Sequence, residues 1–244
     1  MPSSPSRKAE LARLGAAPFA HRGLHGPGVA ENSLAAFDAA IGAGHGIELD
    51  VQVSLDGEAI VFHDHDLDRL TTASGAVARR SAAELADLAY REGEGKVPTL
   101  AEALRRIAGR AALLIEVKAP DRRVDRLCRA VARAVAGYRG DVGVMSFNPE
   151  VGRWFSLRAP DVPRGLVVSE SGRKGVRGRV ERRLSLIRAR PDFLAYDVRD
   201  LPSGFAAAAR ARGLAVYTWT VRGEADRARA AAQADQIIYE AAAR

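Results

Sequence analysis

Short β-rich runs alternate with alanine-, leucine- and arginine-rich segments of helical period along the whole chain, a pattern of repeated βα units rather than separate domains. Eight runs read as strands: 18–22, 46–52, 112–118, 142–147, 162–168, 193–196, 215–221 and 236–239. Helical patterns fill 33–41, 99–108, 122–136, 149–157, 176–189, 203–211 and 224–232 between them. Eight strands with intervening helices predict an α/β fold, a (β/α)8 TIM barrel, and one barrel of ordinary size uses all 244 residues. A single domain over 1–244 is therefore expected. Asn32 or Ser33 can cap the first long helix, Thr99 after Pro98 can start the next, and Gly213 can end the one before Leu214.

One connection breaks this rhythm. Residues 54–98 are too many for a βα loop, and 60–63 reads as an additional strand after the Asp56-Gly57 turn. A small insertion after the second strand is expected, at the barrel mouth, where long insertions tend to be functional. Residues 1–14 read as a loose arm.

Composition narrows the class. The chain is 47% hydrophobic and 27% charged, enough apolar surface for a sizeable core, yet no run approaches a membrane span. The first fifteen residues lack a signal-peptide apolar region, so a soluble cytoplasmic protein without a membrane anchor is expected. Cys128 is the only cysteine, which excludes an intramolecular disulfide and a cysteine metal cage. Any metal must sit on His, Asp or Glu. The formal net charge is +7, and between Arg173 and Arg190 eight basic residues face only Glu181. That stretch reads as a solvated loop and helix, or as a guide for anionic substrates or phospholipid head groups. It has no interleaved aromatics to stack bases, so nucleic acid is not an expected partner. Nothing in the sequence fixes the oligomeric state.

The candidate chemistry lies on the strands. In Gly46-Ile47-Glu48-Leu49-Asp50-Val51 side chains alternate, so Glu48 and Asp50 share one face while Ile47, Leu49 and Val51 take the other. Two carboxylates about 4 Å apart repel by roughly 4 kcal/mol at an effective dielectric near 20, so the pair needs a cation, a proton or a basic neighbour. Arginines elsewhere in the barrel could serve; a divalent metal is the simplest remedy. The third strand repeats the device with Glu116 and Lys118 on one face. Glu48, Asp50 and Glu116 can then converge on one ion, an all-oxygen set suited to Mg²⁺ or Ca²⁺. Lys118 either pairs with Glu116 or binds a phosphate oxygen. His21 and His63 lie at strand ends facing the same mouth, where two imidazoles can serve the entering and leaving oxygens of a phosphodiester. Arg22 suits a bidentate phosphate contact, and Gly23 permits close backbone approach. His25, His45 and His65 lack this strand-end context.

Taken in order, Ala20-His21-Arg22-Gly23, Glu31-Asn32-Ser33-Leu34-Ala35-Ala36-Phe37, Gly46 to Val51, Val61-Phe62-His63-Asp64, Leu67-Asp68-Arg69, Val97-Pro98-Thr99-Leu100 and Ile115-Glu116-Val117-Lys118 resemble the motif series of the glycerophosphodiester phosphodiesterase family. The likeness is dense from Pro18 to Lys118 and thins to Ser146-Phe147, Gly213-Leu214 and Trp219-Thr220-Val221. The resemblance implies a barrel with an insertion after strand two and an enzyme that cleaves glycerophosphodiesters to glycerol 3-phosphate and an alcohol. It further implies one divalent ion on Glu48, Asp50 and Glu116, acid and base roles for His21 and His63, and phosphate contacts from Arg22 and Lys118. Phe147 and Trp219 would lie near the glycerol or the leaving alcohol. Two other readings stand beside it: a lysophospholipase D acting on lipid-bearing diesters, and a catalytically silent phosphodiester-binding barrel. The chain departs from the family at Tyr239-Glu240-Ala241, where a Thr-Asp pair is common, and at Leu70, where threonine is frequent.

Overall fold

The computed structural model describes residues 5–241, and in it the eight predicted runs form one sheet that closes on itself. In chain order the elements are α1 (Pro5–Leu14), β1 (Phe19–Ala20), α2 (Leu34–Gly42), β2 (Gly46–Val53), β3 (Ala59–Val61), α3 (Ala82–Ala86), α4 (Leu100–Ile107) and β4 (Leu113–Val117). The second half adds α5 (Asp125–Val135), β5 (Val142–Ser146), α6 (Pro149–Arg158), β6 (Arg164–Val168), α7 (Val176–Ala189), β7 (Phe193–Asp197), α8 (Gly204–Ala211), β8 (Ala215–Val221), α9 (Glu224–Gln233) and β9 (Gln236–Tyr239). All the barrel strands pair in parallel, and β1 pairs with both β2 and β9, which closes the ring. Among the described residues no helix is long and apolar enough to cross a membrane.

Local chemistry sets the helix starts. The Ser33 side chain accepts from the Ala36 amide at 3.1 Å and caps α2, and Thr99 with Glu102 forms a reciprocal capping box at α4. Asn32, the other candidate cap, has left-handed backbone (φ 57°) and turns its side chain toward β2 instead.

Two apolar layers follow from strand alternation. Ile47, Leu49, Val51, Leu113, Ile115 and Val117 face outward and are buried against the surrounding helices. Leu114, Met145, Val167, Phe193, Ala195, Tyr217 and Ile238 face inward and fill the lower barrel. That floor is closed by α1, whose Leu11 and Leu14 are buried in the same cluster, while the Tyr217 hydroxyl donates to the Leu11 carbonyl at 3.0 Å. The expectation of a loose arm is corrected for residues 5–14: two leucines one helical turn apart suffice to dock a short polar helix on an otherwise open barrel end. Residues 1–4 of that arm lie outside the described residues.

The floor is tightly packed. A Cβ added at Gly165 would stand 2.3 Å from Phe193 Cε2. Gly165→Ala is therefore expected to cost about 1–3 kcal/mol by overpacking, read as a fall of roughly 3–10 °C in melting temperature. An unchanged melt would show that Phe193 yields freely.

The long connection after β2 is a small subdomain with its own core of Ile60, Phe62, Leu67, Val77, Leu85, Tyr90 and Val97. Its first element, β3, runs antiparallel to β2, with Val51 opposite Val61. The chain thus folds back on the end of β2, and the Phe62 amide donates to the Asp50 carbonyl at 3.0 Å. That return sets His63 over the barrel mouth.

Candidate active site

Glu48, Asp50 and Glu116 point into the upper barrel as the alternation requires, and β2 and β4 pair with Asp50 directly opposite Glu116. All three are buried, and each offers a carboxylate oxygen within 4.8 Å of the other two. Three acids so close cannot all be ionised in a dry site without compensating charge. Desolvation, reinforced by the charge of Asp50, pushes the Glu48 carboxyl up. Desolvation likewise raises Glu116 despite Lys118. Burial would raise Asp50 too, but Lys118 and Arg22 outweigh it and hold this carboxyl below the ordinary range.

The cluster has unspent acceptor capacity. Glu48 Oε1 is buried with no hydrogen-bond partner, and Asp50 Oδ1 accepts no aligned hydrogen bond although Lys118 Nζ lies 2.9 Å away. A buried acceptor left without any partner, as Glu48 Oε1 is, costs about 1–3 kcal/mol or more when charged. An all-carboxylate donor set with a free buried oxygen on Glu48 fits a hard divalent cation, held by Glu48, Asp50 and Glu116.

The cationic side chains are anchored around these acids. Lys118 Nζ is 2.7 Å from Glu116 Oε1. Arg22 has left-handed backbone (φ 58°), donates its amide to Glu48 Oε2 at 3.0 Å, and donates Nη1 to Glu31 Oε1 at 2.8 Å. Gly23 beside it is also left-handed (φ 77°), and a Cβ there would stand 2.7 Å from Ala36 Cβ. The close approach made by this glycine is thus to α2, which locks the His21-Arg22 turn.

Each histidine is held by a carboxylate. His21 Nδ1 is 2.8 Å from Glu240 Oε1, which leaves Nε2 facing the acids, 3.9 Å from Glu48 Oε2. Burial works to lower the His21 pKa, but the Glu240 hydrogen bond and the charge of Glu48 outweigh it and hold the imidazole above its ordinary value. His63 Nδ1 is 2.8 Å from Asp64 Oδ1; Asp64 accepts from Arg69 Nε at 2.5 Å, and Arg69 Nη2 donates to Glu31 at 2.7 Å. Since Glu31 also holds Arg22, one ion-paired chain ties His63 in the insertion to Arg22 after β1.

A cavity of about 410 Å³ opens above the acids, lined by His21, Arg22, Glu48, His63, Glu116 and Lys118, with Phe147 and Trp219 on its far wall. Asp50 sits beneath it, fully buried. Phe147 lies just past β5 and meets Trp219 edge to face with ring centroids 5.5 Å apart; the indole Nε1–H donates to the Ala195 carbonyl at 2.9 Å. All nine residues singled out in the sequence are thus brought to one mouth.

Positioning residues were harder to see. Glu240 was met only as a departure from the family pattern, although it continues the inward alternation of Gln236 and Ile238. Asn32 is fully buried and bridges to β2: its Nδ2 donates to Asp50 Oδ2 at 2.9 Å and its Oδ1 accepts from the Asp50 amide at 3.1 Å. Its motif position was visible; its partner was not.

The profile of the Glycerophosphoryl diester phosphodiesterase family matches residues 21–242. The chain belongs to that family. It is 38% identical over 107 residues to a glycerophosphodiester phosphodiesterase of Bacillus altitudinis, covering 41% of this chain and 43% of that protein. It is 33% identical over 159 residues to one of Caldanaerobacter subterraneus, covering 61% and 65%. The aligned segments thus span less than two thirds of these relatives. Likeness to solved structures extends over nearly the whole fold. A glycerophosphodiester phosphodiesterase of Agrobacterium tumefaciens aligns at TM-score 0.69 and 27% identity, covering 91% of this chain and 95% of that one. An Oleispira antarctica phosphodiesterase, solved with the product sn-glycerol-3-phosphate, aligns at TM-score 0.77 and 24% identity over 91% of each chain.

Proposed function

We propose that this family member hydrolyses glycerophosphodiesters to glycerol 3-phosphate and an alcohol, with one divalent cation, Mg²⁺ or Ca²⁺, on Glu48, Asp50 and Glu116. The observation that carries this reading is the joint placement of a buried, under-partnered acid triad, two carboxylate-held histidines and two anchored cations around one cavity. When bound, the ion supplies Lewis-acid stabilisation of charge on the phosphoryl oxygens. Lys118 and Arg22 hold nonbridging oxygens and fix the diester's orientation. One of His21 and His63 takes a proton from the attacking water or glycerol 2-hydroxyl, and the other delivers one to the alkoxide released as its P–O bond breaks; attack by the 2-hydroxyl gives a cyclic phosphate that water then opens to glycerol 3-phosphate. The Phe147–Trp219 pair forms an apolar wall against the glycerol or the leaving alcohol.

The test is a release assay for the free alcohol, choline or ethanolamine, over glycerophosphocholine, glycerophosphoethanolamine and lysophosphatidylcholine, with glycerol 3-phosphate identified as the co-product from the first two and with chelation and metal add-back. Chelation should abolish release and Mg²⁺ or Ca²⁺ should restore it; full activity in demonstrably metal-free protein would sink the reading. Faster turnover of lysophosphatidylcholine than of glycerophosphocholine would instead assign a lysophospholipase D.

Glu240 acts through His21 by fixing which imidazole nitrogen faces the substrate. Glu240→Gln is expected to lower kcat on the order of 10- to 100-fold, while the rise in melting temperature on adding metal stays unchanged. A loss of that metal-dependent shift would make Glu240 part of the ion's surroundings instead.

A further inference from the structure

Helix α7 carries apolar residues on the side away from the barrel. Its buried face is Gly178, Arg182 and Ala189. Val176, Val180, Leu184 and Ile187 are 67%, 52%, 61% and 70% exposed. At roughly 100° per residue these four fall within an arc of about 80°, opposite the buried face. Arg179 and Arg183 border the stripe on one side, and Arg177 and Arg188 border it on the other. Among the described residues the ion pairs of this helix use Glu181, Arg182 and Arg188, which leaves Arg177, Arg179 and Arg183 without a carboxylate. The stretch 173–190 holds a formal +7, equal to the net charge of the whole chain.

A solvated helix face accounts for the arginines but not for four large apolar side chains held in water between them. Beside the stripe, between α7 and α8, lies a recess of about 690 Å³ lined by Arg179, Arg183 and Arg212, by Val180 and Phe205, and by Glu170 and Asp200, the latter 3.7 Å from Lys174. It is larger than the cavity above the acid triad and shares no residue with it. Cations over apolar walls match a phosphate head group above the first carbons of an acyl chain. An apolar stripe flanked by arginines is also the signature of a helix that lies in a bilayer's head-group boundary.

We propose that the outer face of α7 docks the barrel on an anionic phospholipid bilayer. Val176, Val180, Leu184 and Ile187 enter the head-group boundary, and Arg177, Arg179 and Arg183 meet lipid phosphates. Because α7 starts beyond the C-terminal end of β6, its first turn lies at the end of the barrel where the acid triad opens, and because the stripe runs the length of the helix the barrel docks on its side. The docking face stands independently of the reaction assigned to the mouth.

Flotation of the full chain with vesicles of phosphatidylglycerol and phosphatidylcholine, against vesicles of phosphatidylcholine alone, tests this at about 0.1 M salt. Partition onto the anionic vesicles should exceed that onto the neutral ones on the order of 100-fold. The R177Q/R179Q/R183Q variant should lose most of that preference, and V176S/V180S/L184S/I187S should lose about 10-fold or more of the binding. Both should keep wild-type melting temperature and turnover of water-soluble glycerophosphocholine. No flotation, equal flotation on both vesicle types, or undiminished binding by the four-serine variant would overturn the proposal. So would a self-association that the serine variant abolishes while vesicles bind no protein, or tighter binding to duplex DNA than to anionic vesicles.

Discussion

Replacing either His21 or His63 by alanine is expected to lower kcat on glycerophosphocholine by about 10²- to 10⁴-fold, the usual contribution of a general acid or base. Both imidazoles line the cavity above the acid triad, and each has Nδ1 held by a carboxylate, so that Nε2 is left to exchange a proton. His45→Ala is the control, since His45 Nδ1 is engaged by the Tyr239 hydroxyl at 2.6 Å, away from that cavity. A substrate with an activated aryl leaving group separates the two roles. It departs as an aryloxide that needs little protonation, so the variant lacking the acid should be partly rescued and the one lacking the base should not. Near wild-type turnover by both single variants would remove the histidines from the proton-transfer step.

Much of this site was legible because strand alternation is strict. Once 46–52 and 112–118 read as strands, Glu48, Asp50 and Glu116 had to share the barrel interior, and β2 and β4 pair in the register that sets Asp50 beside Glu116. His21 was legible for the same reason, since it follows β1 at the barrel mouth, whereas His63 reaches it by the antiparallel return of β3 along β2. What escaped the sequence depends on partners far away along the chain. His21 and Glu240 are 219 residues apart, and only closure of β1 on β9 makes them neighbours. The docking of α1 likewise depends on Tyr217 and on a barrel floor that Leu11 and Leu14 alone do not announce.

Arginine-rich composition misled at one position. Arg182 reads as one more surface cation, yet it is buried and pairs with Glu170 at 2.8 Å. Counting charge along the stretch could not separate that internal pair from the cations that border the outer stripe. The inward or outward sense of an arginine on a helix depends on which face the neighbouring helices leave open, and here Gly178 and Ala189 mark that face.

Glu48→Gln is expected to remove both metal binding and turnover, with a distinct signature in the metal-free protein. Burial and the adjacent Asp50 push the Glu48 carboxyl up to about 8, against an ordinary value of 4.5 in the unfolded chain. Above pH 4.5 the unfolded chain therefore gives up a proton that the folded, metal-free protein retains, and stability is lost as pH rises from there toward 8. Glu116 is raised as well and adds to the same trend. Chelated wild-type protein should accordingly melt lower at pH 8 than at pH 5.5, and Glu48→Gln, which is never charged, should flatten that slope. Added Mg²⁺ or Ca²⁺ binds the ionised folded form, so it should raise the wild-type melting temperature most at the alkaline end and leave the glutamine variant nearly unmoved. The pH slope of the melt reports on the carboxyl whether or not turnover is measured. Identical slopes in the two chelated proteins would mean that Glu48 is already ionised in the fold, neutralised by Lys118, Arg22 and His21. The carboxyl would then be ready for a cation without giving up a proton, and the metal-induced rise in melting temperature should be as large at pH 5.5 as at pH 8.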